Sequence, residues 1–294
     1  MAKRDGHRRR YTEPAVTLND PRIQRLITLI RAALSPPAGK GRIALAVIMG
    51  VVCHVIFGIA VLAMMAAMFF GMSESFGTVA YPWAILTNAA LIVQFPLVHS
   101  FLLSRRGMKI VTRLIPGPHG ATLSTTTYAI IASLQLAALF LLWTPSGIIW
   151  YSAEGWAFFA ICIVYAATWL LLLKASFDAG AEVQSGALGW MSLMGKIKPV
   201  FPDMPTQGLF RLIRQPIYVA FALTLWAVPV WTPDQLALAV SYTAYCLLAP
   251  RLKEKRFEQR YGVAFDRYRD SVPYVLPKLT SKERKNGANP AKQS

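Results

Sequence analysis

The chain has 294 residues, of which 55% are hydrophobic and only 15% are charged, with a mean hydropathy of +0.41. Soluble domains carry about 25% charged residues and about 45–50% apolar ones, so the composition excludes an ordinary soluble enzyme. The net charge is +17 at pH 7. The basic residues stand between long apolar runs rather than on one polar surface, which argues against nucleic-acid binding. We therefore expect an all-α, polytopic integral membrane protein with no nucleic-acid partner.

Six apolar segments are candidates for membrane-spanning helices, because a helix needs about 20 mostly apolar residues to cross a hydrocarbon core about 30 Å thick. The predicted spans are residues 43–70, 79–104, 125–143, 156–173, 209–231 and 235–249. The last two are predicted to form a tight helical hairpin whose second arm is short. Together the spans predict a transmembrane domain over residues 43–250, followed by a cytoplasmic segment over 251–277 and a disordered tail over 278–294.

The distribution of charge predicts the topology. All 31 Lys and Arg residues lie before residue 43, between the second and third spans, between the end of the fourth span and the first residues of the fifth, or after residue 250. The loops at residues 71–78, 144–155 and 232–234 contain none. Because Lys and Arg favour the cytoplasmic side of a membrane, both termini are expected to be cytoplasmic.

The N-terminal segment, residues 1–42, is basic and contains one amphipathic stretch. Residues 21–34 place apolar side chains at helical spacing with arginines beside them: Ile23, Leu26, Ile27 and Ile30, flanked by Arg22, Arg25 and Arg31. This pattern predicts a short interfacial helix that lies on the anionic lipids of the inner leaflet.

Two histidines lie inside predicted spans, where ionisable groups are costly. His54 is expected near the middle of the bilayer, as a neutral imidazole bonded to a neighbouring helix or as a proton relay. His99 is expected near the cytoplasmic interface, with either a helix-to-helix hydrogen bond or a role towards substrate. The three cysteines stand in apolar stretches without the spacing of metal ligands, so no metal site is expected.

Residues 208–277 contain the most informative polar pattern. Arg211, Arg214, Gln215, Pro216 and Tyr218 precede the predicted hairpin, and Lys253-Glu254 follow it. Since both ends of a hairpin return to the same membrane face, Arg211, Arg214 and Glu254 are expected to meet there. Pro216 suits the first turn of a helix, whose free amides attract an anion, while a carboxylate opposite them holds an ammonium or a ribose. The alternative is an interfacial Arg–Glu network that only anchors the hairpin.

This segment resembles the membrane methyltransferases related to isoprenylcysteine carboxyl methyltransferase and phospholipid methyltransferase. Their pattern is roughly R-x-x-R-H-P-x-Y, a hairpin, a Glu-Glu pair, Y-G and V-P-x-x-P; here it stands as Arg211 to Tyr218, Lys253-Glu254, Tyr261-Gly262, and Val272-Pro273 with Pro277. The resemblance implies that residues 211, 214, 215, 216, 218 and 254 bind S-adenosylmethionine, and that residues 251–277 form a cofactor-binding C-terminal helix. Two positions depart from the pattern: Gln215 replaces the family histidine, and Lys253 replaces the first glutamate.

Upstream motifs are similar to the bacterial methanethiol S-methyltransferase branch, which is related to NnrU-type proteins. These motifs are His99-Ser100, Tyr128, Trp143-Thr-Pro145, Trp150 and Phe177-Asp178, so the resemblance covers about residues 85–277. It implies a bacterial inner-membrane enzyme that methylates a small thiol, with His99 deprotonating or orienting that thiol. The alternative acceptors are an isoprenylcysteine carboxylate and a phospholipid amine. The alternatives of another class are a non-catalytic NnrU-like accessory protein and a small-molecule transporter.

Overall fold

The computed structural model describes residues 20–115 and 117–277. The predicted disordered tail at 278–294 and the beginning of the N-terminal segment, residues 1–19, lie outside the described residues. Within the described ranges the chain forms helices α1 Pro21–Leu34, α2 Lys40–Phe69, α3 Trp83–Leu102, α4 Arg105–Leu114, α5 Ser124–Leu142, α6 Gly155–Gln184, α7 Ala187–Gly195, α8 Pro216–Trp226, α9 Pro233–Tyr261 and α10 Val263–Ser271. The predicted all-α fold is confirmed.

Long apolar helices confirm that the protein is an integral membrane protein. In the described part of the chain, α2, α3, α5 and α6 are long and apolar enough to cross a membrane, and α8 is a shorter apolar helix. These helices correspond to the first five predicted spans. The sixth predicted span forms the first half of α9, so the count of six remains a prediction.

The hairpin differs most from its predicted boundaries. The predicted span at 209–231 contains a 3-10 helix at Gly208–Arg211 and then α8, which begins only at Pro216. The second arm is not short: α9 has 29 residues, because its charged continuation contains no residue that stops a helix before Gly262. Residues 251–277 therefore form the end of α9, then α10 and an extended segment, rather than one separate helix.

α6 also exceeds its prediction, and it is broken within its last two turns. The predicted span ends at residue 173, whereas α6 continues to Gln184 with non-helical backbone angles at Gly180 (φ 104°, ψ 87°). A positive φ of this kind is readily adopted only by glycine. The break separates two buried acids, Asp178 and Glu182.

The three loops without Lys or Arg meet at one end of the bundle. The Thr232 hydroxyl donates a hydrogen bond to the Gly71 carbonyl at 2.5 Å. The strands β1 (Tyr151–Ser152) and β2 (Val230–Trp231) pair in an antiparallel register. These contacts join the segments around residues 71–78, 144–155 and 232–234, as the predicted topology requires, since all three loops then lie on the same side of the membrane.

Large buried side chains form the core of the bundle between its two ends. Met68 of α2, Phe140 of α5 and Tyr242 of α9 are at most 1% exposed and belong to one apolar cluster. Phe95 of α3 stacks on Tyr242, with ring centroids 6.1 Å apart. This packing fixes the position of α3, and with it His99, which lies one turn beyond Phe95.

His54 is bonded to a neighbouring helix, as one of the two alternatives predicted. The indole Nε1 of Trp190 in α7 donates to its Nε2 at 3.0 Å. Gly50 allows this approach, because a Cβ atom there would lie 2.8 Å from the Trp190 ring. The imidazole therefore serves the α2–α7 contact.

Candidate functional site

The junction at which the chain enters α8 has the geometry of an anion-binding helix start. Gln215 is the N-cap residue and is 2% exposed, and Pro216 is the first helical residue and is buried. Proline has no N–H to leave unsatisfied at this position. The next amides of the first turn, at Ile217 and Tyr218, have no acceptor within the helix, so they carry the positive end of its dipole.

Arg214, Gln215 and Glu254 come together as the sequence predicts. Arg214 Nε donates to Glu254 Oε1 at 2.8 Å, and its Nη2 lies 3.5 Å from Oε2. Gln215 Nε2 donates to the same Oε1 at 2.7 Å. Glu254 therefore has two donor groups in the protein, and Arg214 offsets its charge. This is the Arg–Glu contact that the sequence leaves as an alternative to a ligand-binding carboxylate.

The backbone beyond α10 holds Arg214 in place. Its Nη1 donates to the carbonyls of Arg269 at 2.9 Å and Val272 at 2.6 Å. Its backbone N–H donates to the Pro273 carbonyl at 2.9 Å. The Val-Pro motif therefore has a structural reason: the extended chain after α10 presents carbonyl oxygens to the arginine that binds Glu254.

The junction also contains a buried hydrogen-bond acceptor that has no partner. Gln215 Oε1 is buried and has no hydrogen-bond partner among the described residues. A buried polar atom without a partner costs about 1–3 kcal/mol. The cost is removed when a donor such as an ammonium or a hydroxyl binds there, so this atom is a candidate ligand contact.

Lys253 of α9, next to Glu254, adds a positive charge to this cluster. Its Nζ lies 5.3 Å from the ring centroids of both Phe210 and Phe257, within cation–π distance. Burial lowers the pKa of Lys253 to about 8, against a smaller opposing effect of Glu254. Since Arg214 and Glu254 offset each other, Lys253 gives the site a net positive charge at neutral pH.

The cavity between these groups is small in this structure. It offers about 10 Å³ to the centre of a water molecule, room for about one. Its lining combines the polar groups above with an apolar wall: Pro205, Phe210, Phe257, Phe265 and Tyr268. The Tyr268 hydroxyl donates to the Phe210 carbonyl at 2.7 Å, and burial raises the pKa of Tyr268, so this hydroxyl stays protonated. A ligand larger than a water molecule requires this wall to move.

A second polar cluster surrounds His99. The hydroxyl of Tyr128 in α5 lies 2.9 Å from the imidazole nitrogens, and the imidazole packs on Phe95 with ring centroids 4.7 Å apart. The next residue, Ser100, lies close to the Tyr245 side chain of α9. His99 thus lies near the end of α3 that precedes basic residues, as predicted. Tyrosine hydroxyl groups of α5 and α9 lie near it.

Tyr218 and Arg256 connect the two clusters. Tyr218 lies on the first turn of α8 and is close enough to Tyr245 and Arg256 to interact with them electrostatically. Arg256 also lies within electrostatic reach of His99 and Tyr128, and its Nη1 is 3.4 Å from the Leu103 carbonyl at the end of α3. A ligand that bridges the α8 start and His99 would pass beside these two side chains.

The structure leaves one predicted site residue outside the cluster. Arg211 ends the 3-10 helix with an exposed side chain, and the ion pairs of the described residues do not include it. Sequence reasoning also missed the parts played by Arg256 and Phe210. Helical spacing places Lys253 and Phe257 on one face of α9. The run 253–256 is charged throughout, so its sequence does not indicate which of these side chains points towards α3.

Comparison with known proteins identifies similar sequences at moderate identity. The chain is 29% identical over 201 residues to a methanethiol S-methyltransferase of a Pseudomonas species, covering 68% of this chain and 76% of the relative. It is 29% identical to a methanethiol S-methyltransferase of Crocosphaera subtropica, covering 68% of this chain and 77% of the relative. It is also 28% identical to nurim of Xenopus laevis, covering 61% and 65%. No protein-family model and no solved structure matches the chain. These relatives confirm the resemblance to methanethiol S-methyltransferases that the motifs predict.

Proposed function

We propose that this protein is a membrane methyltransferase that transfers the methyl group of S-adenosylmethionine to a small thiol such as methanethiol. The observation that carries the proposal is the buried Gln215, whose unpartnered Oε1 lies beside the Arg214–Glu254 pair at the start of α8. The similarity to methanethiol S-methyltransferases supports the reaction class and the acceptor.

The residues at the α8 start fit the amino-acid portion of this cofactor. Its ammonium group is a suitable donor for Gln215 Oε1, and its carboxylate suits the amides of Ile217 and Tyr218 together with the Lys253 ammonium. The apolar wall around Phe210 suits a nucleoside once the small cavity has widened. The family histidine and first glutamate are thus replaced by an acceptor and a cation that keep the site suitable for a zwitterion.

Bound S-adenosylmethionine supplies an electrophilic sulfonium methyl, so the protein must align the acceptor and stabilise its thiolate. We assign the proton transfer to His99. The Tyr128 hydroxyl lies 2.9 Å from both ring nitrogens, so it can accept from the protonated nitrogen while the unprotonated nitrogen takes the thiol proton. Arg256 stabilises the thiolate that forms. The thiol proton passes to His99, and the thiolate sulfur would take the methyl group as the bond between that methyl group and the sulfonium sulfur breaks, which would leave a neutral thioether.

We also propose a location and an orientation. The end of the bundle with Arg42, Arg214 and Arg256 lies on the cytoplasmic face of a bacterial inner membrane, and both termini are cytoplasmic, as the charge distribution favours. Anionic lipids of the inner leaflet contact α4, whose buried Gly107 and Val111 lie opposite an exposed basic face: Arg105, Arg106, Lys109 and Arg113.

The test is a transfer assay with purified protein in detergent. Methyl-labelled S-adenosylmethionine is incubated with methanethiol and larger thiols, an isoprenylcysteine and a phospholipid amine as separate acceptors. We expect labelled thioether from the small thiol at a rate that falls with Arg256→Gln but not with Arg267→Gln, an exposed arginine of α10. Labelled ester or methylated amine would overturn the thiol assignment. Protein that neither binds the cofactor nor forms product would identify a non-catalytic relative.

A further inference from the structure

Asp178 of α6 joins three separate elements although its own side chain is fully buried, at 0% exposure. Its Oδ1 accepts a hydrogen bond from Arg22 Nη1 of α1 at 2.6 Å. Its Oδ2 accepts from Lys174 Nζ at 2.5 Å and from the Leu209 backbone N–H at 2.9 Å. The last contact reaches the 3-10 helix that precedes the α8 start.

The contact with the 3-10 helix is unusually close because residue 208 is glycine. Gly208 has a φ of +59°, and a Cβ atom there would overlap the Asp178 carboxylate. Two features therefore place this turn against α6: a charged acceptor for the Leu209 amide, and the absence of a side chain where the carboxylate lies.

The turn that Asp178 holds supplies a wall of the proposed cofactor site. Phe210 is 1% exposed, contacts the Lys253 ammonium, and accepts the Tyr268 hydroxyl bond at its carbonyl. Arg214 follows within about one turn of chain and binds Glu254. A shift of the turn would thus displace both the apolar wall and the arginine of the site.

Besides Lys174 of its own helix, the charge of Asp178 is offset by Arg22 of α1, which also pairs with Asp20. α1 belongs to the N-terminal segment, outside the region that carries the recognised motifs. α1 is docked at three places: Arg22 on Asp178, Arg25 on the buried Glu182 at 2.9 Å, and Ala32 against Gly195 of α7. Two of the arginines that the sequence assigns to the lipid surface are therefore engaged by carboxylates of the protein.

We propose that Asp178 is a positioning residue, which holds the turn at Gly208–Arg211 so that Phe210 and Arg214 form the ligand site, and that Arg22 of α1 offsets its charge. The identity of the ligand rests on the proposed function; the positioning itself does not. The N-terminal helix is accordingly part of the site's support rather than only a membrane anchor.

Asp178→Ala and Asp178→Asn test this proposal against Glu182→Gln. Glu182 is the matched control, because it is equally buried and pairs with α1 but does not contact the turn. Each full-length variant is compared with the wild type by hydrogen exchange of residues 205–215 and by calorimetric titration with S-adenosylmethionine. Losing a hydrogen bond to a charged acceptor corresponds to a change of about 10- to 150-fold. We expect Asp178→Ala to speed exchange at Leu209 and weaken cofactor binding by about 10-fold or more.

Asp178→Asn keeps an acceptor for the Leu209 amide, so it should retain most of the protection and provides a second variant if the alanine protein fails to fold. Glu182→Gln should lower the unfolding temperature without changing exchange at 205–215. At saturating cofactor, turnover of the Asp178 variants should stay within about threefold of wild type, so that the loss appears in KM. Unchanged exchange in Asp178→Ala, or an equal change in Glu182→Gln, would overturn the proposal. If wild-type protein binds no S-adenosylmethionine, the proposed function fails, and the exchange measurement still decides whether Asp178 positions the turn.

Discussion

Replacing Glu254 by Gln perturbs the centre of the proposed cofactor site while leaving its frame in place. The carboxylate accepts hydrogen bonds from Arg214 Nε at 2.8 Å and from Gln215 Nε2 at 2.7 Å, both at Oε1. A glutamine at 254 presents one oxygen and one NH₂ group. The oxygen can take the place of Oε1 and accept from both donors, which puts the NH₂ group in the place of Oε2, 3.5 Å from Arg214 Nη2. The negative charge that offsets Arg214 is then lost, so the site becomes more positive and repels the cofactor ammonium.

The expected magnitude follows from that lost charge. A hydrogen bond to a charged group is worth about 1.5–3 kcal/mol, and each 1.4 kcal/mol is about a tenfold change in affinity. Glu254→Gln should therefore weaken S-adenosylmethionine binding by roughly 10- to 150-fold. The fold should survive, because Arg214 keeps its bonds to the carbonyls of Arg269 and Val272.

Calorimetric titration in detergent measures the effect, and Glu258→Gln is the matched control. Glu258 lies one turn further along α9, is 52% exposed, and pairs with Arg269 at 3.3 Å. An exposed pair of this kind contributes about 0–1 kcal/mol, so its loss should leave affinity nearly unchanged. Glu254 does not contribute to cofactor binding if Glu254→Gln binds within about twofold of a wild type that binds measurably, or if the two variants weaken binding equally.

Three further predictions concern the acceptor side, the replaced histidine and the topology. His99→Ala should lower turnover by about 10²- to 10⁴-fold with little change in cofactor affinity, as measured by single-turnover kinetics, and unchanged turnover would leave His99 with only its Tyr128 contact. Gln215→His should preserve cofactor binding and add a pH dependence near about 6.5, the ordinary imidazole pKa; a complete loss of binding in calorimetry would show that the amide oxygen is essential. A reporter inserted at Ser152 should be external and one fused after Ser294 cytoplasmic, and a cytoplasmic signal at Ser152 would contradict the six-span topology.

The membrane helices follow from composition, but the ends of the hairpin do not. A run of apolar residues specifies that a segment is buried in lipid, and the loops without Lys or Arg specify which ends share a side. The start of α8 depends instead on Pro216, on the 3-10 turn before it and on the contact of Gly208 with Asp178. That contact joins residues about thirty positions apart, and no local periodicity encodes it.

The candidate site was predictable where topology alone brings residues together. Arg214 and Glu254 flank one hairpin, so their meeting follows from the return of both arms to one face. The bonds from Arg214 to the Val272 carbonyl and from Tyr268 to the Phe210 carbonyl depend on backbone oxygens, which a sequence pattern does not label. The helix α1 shows the same limit: its amphipathic spacing predicts Pro21–Leu34 correctly, whereas the burial of Asp178 opposite Arg22 is a tertiary property.

Lys253 gives the proposed site a dependence on pH whose sign can be worked out. Burial lowers its pKa to about 8, so the side chain is charged below that pH and neutral above it. With Arg214 and Glu254 offsetting each other, this ammonium is the charge that attracts the cofactor carboxylate. Affinity for S-adenosylmethionine should therefore fall as pH rises from about 7 to about 9.

The cofactor's own amino group also titrates, so the quantity to measure is the ratio of wild-type to Lys253→Gln affinity across the series. We expect the wild type to bind about 10-fold more tightly at pH 7, as for one charged hydrogen bond, and the two affinities to converge at pH 9. A ratio that stays constant, or a variant that binds more tightly at pH 7, would show that Lys253 repels the cofactor ammonium instead.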